Sequence, residues 1–510
     1  MRISRRWRRA LALGGSLALA AALATGAAGG GGAGFKTSAA PMLAGVAAGV
    51  EVEPIITVGE RLRSGYRFES LPDGISLRGR GAGRVDLYVN HETSLVPFPV
   101  PISDFTNAMV SRLTLSRQSR GVLQGSYVIP SSANYQRFCS NFLAGREHGF
   151  ERPLLFTNEE ATDLVNRTGT AWPAGPGAEQ AGVVVAYDIR SGRYRPIYGM
   201  GRHNHENSVA LPGFGHPVVL SGDDTFSAPA SQLYLYSADD GDDVWRDRGK
   251  LLAFKSSDPD VNDYGDLGPE DTTDGSFVPV PREVARGDQT ALESWSNANG
   301  VFQFIRVEDI AYDREYPFIV YFADTGEPRA VADPATGRLR RGPAGTTGPF
   351  PNGRVFQMVL DPDDPTEVLS LSVLIDGDAR GAASAGALDL IHNPDNLETT
   401  ERSLLIQEDP GSQNQYAASN PNGTTARIWR YDLETEKLTV VARVDQSQDP
   451  AARQGAWESS GIVDASEAFG PGAFLLDVQA GTLVLDREVT PTVTYEREGG
   501  QLLLVRIPER

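Results

Sequence analysis

Asp86-Leu-Tyr-Val-Asn90-His91-Glu92 is a short run of β-forming residues that ends in polar and acidic side chains. The same form recurs as Pro153-Leu-Leu-Phe-Thr-Asn-Glu159-Glu160, Pro217-Val-Val-Leu-Ser-Gly-Asp223-Asp224, Phe318-Ile-Val-Tyr-Phe-Ala-Asp324, Ser403-Leu-Leu-Ile-Gln-Glu408-Asp409 and Gly472-Ala-Phe-Leu-Leu-Asp477. The six copies predict six similar units. Their spacing of about 65 to 100 residues exceeds the ~40–50 of the shortest propeller repeats, so we expect long loops between the strands.

A second set of acid-led runs precedes four of these strands by roughly 9 to 16 residues. The runs are His205-Glu206-Asn-Ser-Val-Ala-Leu211, Arg306-Val-Glu308-Asp-Ile-Ala-Tyr312, Pro394-Asp395-Asn396-Leu397 and Trp457-Glu458-Ser-Ser-Gly-Ile-Val463. In an antiparallel pair, the start of the first strand and the end of the second lie at one edge of the sheet. We therefore predict an all-β fold, a six-bladed β-propeller with a metal-lined central channel. Strand content alone also allows two stacked β-sandwich domains, but the repeat favours the propeller.

The first 30 residues have the pattern of an export signal. Five arginines and no acid stand between Met1 and Arg9, Ser4-Arg5-Arg6 is a twin-arginine pattern, and an Ala/Leu run follows from Ala10 to about Ala28. We predict a twin-arginine signal peptide at 1–30, a flexible linker at 31–50 and a single propeller domain at 51–510. An uncleaved membrane anchor is the alternative for the apolar run. The exported protein would be periplasmic or extracellular.

The charge balance narrows the choice of partners. Removal of the five leader arginines takes the formal net charge from −19 to −24. Such an excess of acid argues against nucleic acid and against a membrane as partners after signal cleavage, and it favours cations. The sequence gives no reason to expect anything but a monomer. Its one cysteine, Cys139, is a buried thiol, an intermolecular cross-link or a metal ligand.

Several stretches together resemble the PhoX-type alkaline phosphatases, also called the DUF839 family. The stretches are Val89-Asn90-His91-Glu92, Cys139 with Asn158-Glu159-Glu160 about twenty residues later, Gly201-Arg202-His203-Asn204-His205-Glu206, Arg306-Val307-Glu308, Pro394-Asp395-Asn396-Leu397 and Leu404-Leu-Ile-Gln-Glu408-Asp409. They cover about residues 60 to 485. The run after Cys139 and the Arg306-Val307-Glu308 element depart from the usual family pattern, which indicates a divergent subgroup.

The resemblance implies an exported six-bladed propeller that hydrolyses small phosphorylated substrates with iron and calcium. It implies that Cys139 binds iron, that Glu206 and Glu308 hold or bridge metals, and that Arg306 is the catalytic residue that binds phosphate. Further metal ligands implied for the site are Asp395, Glu408, Asn90, Glu92 and Glu160. Hard oxygen ligands suit calcium, and a thiolate beside carboxylates suits a transition metal such as iron.

Three functional hypotheses follow from these observations. The first is a metal-dependent phosphatase that acts on phosphomonoesters. The second is a non-catalytic, calcium-binding propeller that serves as a binding module, and the third is a phytase-like or lactonase-like hydrolase. A thiolate and a phosphate-binding arginine together favour the first, because a structural calcium site needs neither. The chain has no phosphate-binding loop of the Gly-x-x-x-x-Gly-Lys type, no Gly-x-Ser-x-Gly elbow and no His-Glu-x-x-His motif.

Overall fold

The computed structural model describes residues 33–97, 100–225, 231–411, 424–453 and 455–508. The predicted signal peptide at 1–30 lies outside the described residues. Within the described ranges, no helix combines the length and the hydropathy needed to cross a bilayer.

Strands are the main regular structure of the described chain, and most of them correspond to a short β-forming run in the sequence. The first half contains β1 Leu43–Gly45, β2 Glu51–Thr57, β3 Pro72–Gly81, β4 Arg84–His91, β5 Ile102–Asp104, β6 Met109–Ser116, β7 Val122–Ile129, β8 Phe138–Ala144, β9 Leu154–Glu159, β10 Leu164–Val165, β11 Glu179–Gln180, β12 Val184–Asp188, β13 Arg193–Ile197, β14 His205–Ala210, β15 Val218–Asp223, β16 Leu233–Ser237 and β17 Lys250–Ser256. Many of these strands are buried along their whole length, as β9 and β15 are, which is typical of strands covered on both faces.

The second half continues the pattern. It contains β18 Thr272–Pro279, β19 Val307–Tyr312, β20 Ile319–Asp324, β21 Ala330–Ala332, β22 Leu339–Arg341, β23 Arg354–Leu360, β24 Glu367–Asp376, β25 Pro394–Thr399, β26 Ser403–Glu408, β27 Arg427–Asp432, β28 Leu438–Val444, β29 Glu458–Asp464, β30 Ala473–Val489 and β31 Thr494–Arg506. Within the described ranges four short α-helices lie between strands: α1 Gly241–Trp245, α2 Arg282–Ala285, α3 Gln289–Ala298 and α4 Ser466–Phe469.

Six strands surround the centre of the molecule, and we call them the inner strands: β3, β8, β14, β19, β25 and β29. Among the described residues each inner strand contacts the next, and β29 contacts β3, so that the ring is closed. Each inner strand pairs antiparallel with the strand that follows it along the chain; these second strands are β4, β9, β15, β20, β26 and β30. The predicted all-β propeller is confirmed. Its count of six blades remains a prediction, which the ring of six inner strands supports.

The sheets are not all separate from one another. β18 pairs with β17 on one side and with β24 on the other, which joins two four-stranded sheets into one of nine strands. Layers of buried apolar side chains lie between neighbouring sheets. In one of these layers the rings of Phe304 and Phe356 lie 5.5 Å apart, and those of Phe322 and Phe356 lie 5.2 Å apart. Packing between sheets therefore fixes the inner strands around the channel.

The two ends of the described chain close the ring. β2 pairs with β31, and β1 pairs with β28, so that N-terminal strands complete sheets built from the C-terminal part. The described residues 33–50 therefore differ from the flexible linker expected at 31–50. The reason is burial: Met42 and Leu43 are only 1% and 2% exposed and pack in the layer that contains Trp457.

Candidate metal centre

Every inner strand has an interruption in its register with the second strand, at its first residues in five strands and after three paired residues in β29. The interruptions lie between Pro72 and Ile75, Phe138 and Asn141, His205 and Ser208, Val307 and Ile310, Pro394 and Leu397, and Ser460 and Val463. The residue just after the start of each interruption is Asp73, Cys139, Glu206, Glu308, Asp395 and Gly461, in that order. A bulge redirects a side chain that regular pairing would place on a sheet face. The repeated bulge thus presents five side chains that can bind a metal at one end of the channel.

Four of these side chains, those of Cys139, Glu206, Glu308 and Asp395, meet Glu160, the residue that follows β9. We call these five residues the central cluster. One ligand atom from each of Cys139, Glu160 and Glu206 lies within 4.8 Å of the other two, and the same holds for Glu206, Glu308 and Asp395. The Sγ atom of Cys139 is 3.1 Å from Oε1 of Glu206. Glu206 belongs to both groups, so the two groups form one continuous set of donors. The structure therefore brings together five of the residues predicted as metal ligands.

The electrostatics of the central cluster favour bound cations. Burial, followed by the charges of Glu308 and Asp395, raises the pKa of Glu206 well above its usual value. Burial and neighbouring carboxylates likewise raise the pKa of Glu160, Glu308 and Asp395. The pKa of the Cys139 thiol is also raised, first by burial and then by the charge of Asp73. Bound cations would offset the repulsion among these carboxylates and the cost of burying their charges.

Arg306 lies beside the central cluster and is oriented by Asp224. Its Nε donates to Oδ1 of Asp224 over 2.6 Å, and its Nη2 donates to Oδ2 over 2.5 Å. The same Nη2 is 3.3 Å from Oε1 of Glu308. Burial opposes the charge of Arg306, but Asp224 and Glu308 hold the pKa of the guanidinium above its usual value. The cluster thus has a fixed positive group on one side.

Asn90 supports the backbone beneath the central cluster. Its Nδ2 donates to the carbonyl oxygens of Cys139 and Ser140 over 2.5 and 3.2 Å, and its Oδ1 accepts from Asn141 over 2.9 Å. These contacts hold the bulge that presents Cys139. They place the Asn90 side chain in a supporting position and not among the cluster's ligand atoms.

Glu92 lies near the central cluster and is linked to it through Gln479 and Asp73. Gln479 donates from Nε2 to Oε2 of Glu92 and to Oδ2 of Asp73, in both cases over 3.0 Å. Oδ2 of Asp73 also accepts from Sγ of Cys139 over 3.3 Å. Burial, and then the charge of Asp73, raises the pKa of Glu92 to about 8. Glu92 is therefore connected to the cluster through Asp73.

Glu408 is held within its own sheet. Arg427 donates from Nη2 to Oε1 over 2.8 Å and from Nε to Oε2 over 2.9 Å, and Trp429 donates from Nε1 to Oε1 over 2.8 Å. The next residue, Asp409, does act on the cluster. The pKa of Asp395 is raised mainly by burial and secondly by the charge of Asp409. A metal-ligand role of Glu408 remains a prediction, and its contacts with Arg427 and Trp429 favour a structural role.

Four acids at this end of the channel were not predicted as site residues: Asp73, Asp224, Asp409 and Glu458. A sequence signal exists for the first, because Pro72-Asp73 begins β3 as Pro394-Asp395 begins β25. Asp224 and Asp409 each follow directly after the last residue of a second strand, as Glu160 does. The pKa of Glu458 is raised by burial and then by Asp409 and Asp395, so its carboxylate also faces the acids of the site.

The donor set fits more than one cation. Carboxylate oxygens suit calcium, and the single thiolate suits a softer transition metal of the iron class. Because Glu206 lies in both donor groups, neighbouring cations could share its carboxylate. The geometry therefore supplies donors for a hard and for a softer cation side by side.

The fold is similar to that of PhoX from Pseudomonas fluorescens, solved in complex with vanadate, a transition state analogue. The TM-score is 0.59 at 16% identity, and the match covers 93% of this chain and 98% of that chain. A protein of unknown function from Dyadobacter fermentans matches with a TM-score of 0.43 at 8% identity, over 91% of this chain and 100% of its own. No protein-family model and no curated protein matches the sequence. The likeness to PhoX confirms the PhoX-like fold that the sequence predicted.

Proposed function

We propose that this protein is a metal-dependent phosphatase that hydrolyses phosphomonoesters at the central cluster. The observation that carries the proposal is the arrangement of two kinds of group. A thiol and several carboxylates lie within ligand distance of one another, and a buried guanidinium lies 3.3 Å from one of those carboxylates. The PhoX-like fold supports the same function. The substrate would be a small phosphorylated molecule that enters the channel from the cluster's end.

The central cluster would hold the metals, which we take to be iron and calcium. Cys139 and Glu206 would serve the softer cation, and the carboxylates of Glu308 and Asp395 would serve the harder one. When bound, such cations would offset the negative charge that the acids and a phosphate monoester bring together. Four members of the cluster are buried, and Glu160 is partly buried. Bulk water therefore does little to screen the attraction between the acids and the cations.

Arg306 would bind the phosphate. A guanidinium donates two parallel hydrogen bonds to phosphate oxygens, which an ammonium group does not reproduce. Asp224 fixes the plane of the guanidinium through Nε and Nη2. The backbone of Arg306 is fixed as well, because its amide donates to Oδ1 of Asp324 over 3.1 Å. The side chain is thus held in one orientation before substrate arrives, which lowers the entropy lost on binding.

The test compares two arginines at opposite ends of one inner strand. Arg306→Lys keeps the charge and removes the paired donors, so we expect hydrolysis of an aryl phosphate to fall about 100-fold or more. The matched control is Arg314→Lys. Arg314 also pairs with a carboxylate, Glu398, over 2.5 Å, but it stands at the other end of β19. Equal loss in both variants, or undiminished turnover in Arg306→Lys, would contradict the assignment.

We also propose that the chain is exported by the twin-arginine route and acts as a monomer in the periplasm or outside the cell. The leader at 1–30 supports export of a protein that already contains its metals. Replacement of Arg5 and Arg6 by lysine should leave the protein in the cytoplasmic fraction. Cell fractionation with an unaltered control checks this expectation.

A further inference from the structure

The residue that directly follows each predicted ligand on an inner strand belongs to a second set of polar side chains beside the central cluster. In four consecutive inner strands, from β8 to β25, this residue is polar and between 1% and 6% exposed. Each of the four lies inside the same register interruption as the ligand before it. The four residues, which we call the belt, are Ser140, Asn207, Asp309 and Asn396.

The belt side chains reach from each inner strand to the next one around the channel. Oγ of Ser140 on β8 donates to Oε1 of Glu206 on β14 over 3.0 Å. Nδ2 of Asn207 on β14 donates to Oδ1 of Asp309 on β19. Oδ2 of Asp309 in turn accepts from the amide of Leu397 on β25 over 2.9 Å. The belt therefore ties the bulges of neighbouring inner strands to one another.

Asn396 extends the belt in two directions. Its Oδ1 accepts from the amide of Gly461 on β29, the next inner strand, over 3.2 Å. Its Nδ2 donates to Oγ of Ser140 over 3.1 Å. Because β25 and β8 are three places apart in the ring of six inner strands, this second bond joins opposite sides of the channel. The bulges are thus linked across the channel as well as around it.

Asp309 is the member of the belt that carries a carboxylate, and it accepts from three donors. Oδ1 accepts from Nδ2 of Asn207 and, over 2.6 Å, from the amide of Ile310. Oδ2 accepts from the amide of Leu397. A carboxylate offers acceptors on both of its oxygens, whereas a side-chain amide replaces one of them with a donor. The position therefore requires an acid and not merely a polar residue.

The strands that Asp309 joins are those that present one of the two groups of metal donors. Glu206 lies on β14, Glu308 on β19 and Asp395 on β25, and a ligand atom from each lies within 4.8 Å of the other two. On every one of these strands the group that takes part in the contacts of Asp309 stands one or two residues after the ligand. The contacts of Asp309 therefore fix the distances between the three ligands.

We propose that Asp309 is a positioning residue of the metal centre, which holds Glu206, Glu308 and Asp395 at the spacing that a calcium ion needs. The inference rests on the proposed function in that both take the central cluster to be a metal centre. A group of three carboxylates suits calcium, which prefers oxygen ligands. Partners that orient ligands without touching the metal typically contribute about 10- to 100-fold to metal affinity.

Calcium binding by Asp309→Asn tests the proposal. The new side chain has a single oxygen, so either Asn207 or Leu397 faces an NH2 group in place of an acceptor. Equilibrium dialysis with radiolabelled calcium should show affinity lowered about 10- to 100-fold. The double variant Asn207→Asp with Asp309→Asn exchanges donor and acceptor between the two positions, and the oxygen at position 309 can then face the Leu397 amide. It should recover at least about 5-fold of the lost affinity.

Asp313→Asn is the matched control, because Asp313 follows the other end of β19 and is 2% exposed. Its carboxylate accepts from the amides of Glu315 and Tyr316 over 2.9 and 3.0 Å and from the hydroxyl of Tyr321 over 3.1 Å. Both single variants should lower the melting temperature of the metal-free protein. Asp313→Asn should nevertheless keep the calcium affinity of the wild type.

The proposal is overturned by wild-type affinity in Asp309→Asn, by an equal loss in Asp313→Asn, by no recovery in the double variant, or by a wild type that binds no calcium. If Asp309→Asn does not fold, Asn207→Ser removes one of the three donors and should lower the affinity in the same direction; unchanged affinity there has the same meaning. Binding is measured without substrate. A wild type that binds calcium and hydrolyses no phosphomonoester would therefore contradict the proposed function alone.

Discussion

The last residue of a second strand and the residue after it have opposite environments, although they are neighbours in the chain. Glu408 ends β26 and is held by Arg427 and Trp429 within its sheet. Asp409 follows it and acts on the acids of the channel. Glu159 and Glu160 repeat the pattern, since the first binds Arg167 and the second belongs to the central cluster. A shift of one position therefore separates an anchor from a candidate ligand.

The alternation of side chains explains this difference. Successive side chains of a strand point to opposite sides, so the last residue of the strand and the next residue contact different parts of the molecule. The anchor position finds hydrogen-bond donors in its own sheet, as Glu408 does, or in a neighbouring loop, as Glu159 does. The following position faces the channel, where most neighbours are other acids. Mutations at Glu408 and Asp409 should therefore affect different properties, stability in one case and metal binding in the other.

The largest effect is expected for Glu408→Ala. This change leaves the Arg427 guanidinium buried without its carboxylate and removes the acceptor of the Trp429 indole. Loss of one partner from a buried ion pair typically lowers the free energy of unfolding by about 3–5 kcal/mol. Urea denaturation of the metal-free protein measures it. If Glu408 instead binds metal, its replacement should barely change that free energy and should lower the metal content.

Asp409→Asn should produce a smaller effect of the other kind. The change removes one negative charge beside Asp395 and Glu458, whose pKa values are raised by burial and by Asp409. We expect metal affinity to fall about 10- to 100-fold, while the metal-free protein keeps or gains stability. Calcium titration by calorimetry gives the affinity. Equal loss of affinity in Glu408→Gln would remove the distinction between the two positions.

The sequence predicted much of this arrangement and missed its detail for a physical reason. Acids repeated at strand starts and strand ends gave the propeller and the shared mouth, because antiparallel pairing fixes which ends meet. Which of Glu408 and Asp409 faces the channel depends on where β26 ends. The ends of strands are the feature that a sequence predicts least well. Asp73 was missed because its partners, Cys139 and Gln479, are distant in the chain and are brought near it only by the packing of β3 against β8 and β30.

The smallest expected effect is a pH dependence of stability to which Glu92, at the channel-facing position after β4, contributes. Glu92 follows β4, and burial, then the charge of Asp73, raises its pKa from 4.5 to about 8. Burial also raises the pKa of the nearby Asp104 to about 7 and that of Glu498 to about 8. In the unfolded chain these groups lose their protons near pH 4, whereas the folded, metal-free protein keeps them until about pH 7–8. Over that interval the folded state binds more protons than the unfolded state.

The free energy of unfolding of the metal-free protein should therefore fall as the pH rises from about 5 to about 8. The melting temperature should fall with it by about a few degrees. Glu92→Gln has no group to titrate at this position, so its melting temperature should change less over the same interval. Added calcium should flatten the dependence in the wild type, because cations stabilise the ionised acids of the folded state. Differential scanning calorimetry of wild type and variant, each with chelator and with calcium, measures all four slopes. A melting temperature that rises with pH in the metal-free wild type would show that the channel-facing acids are already compensated by the protein itself.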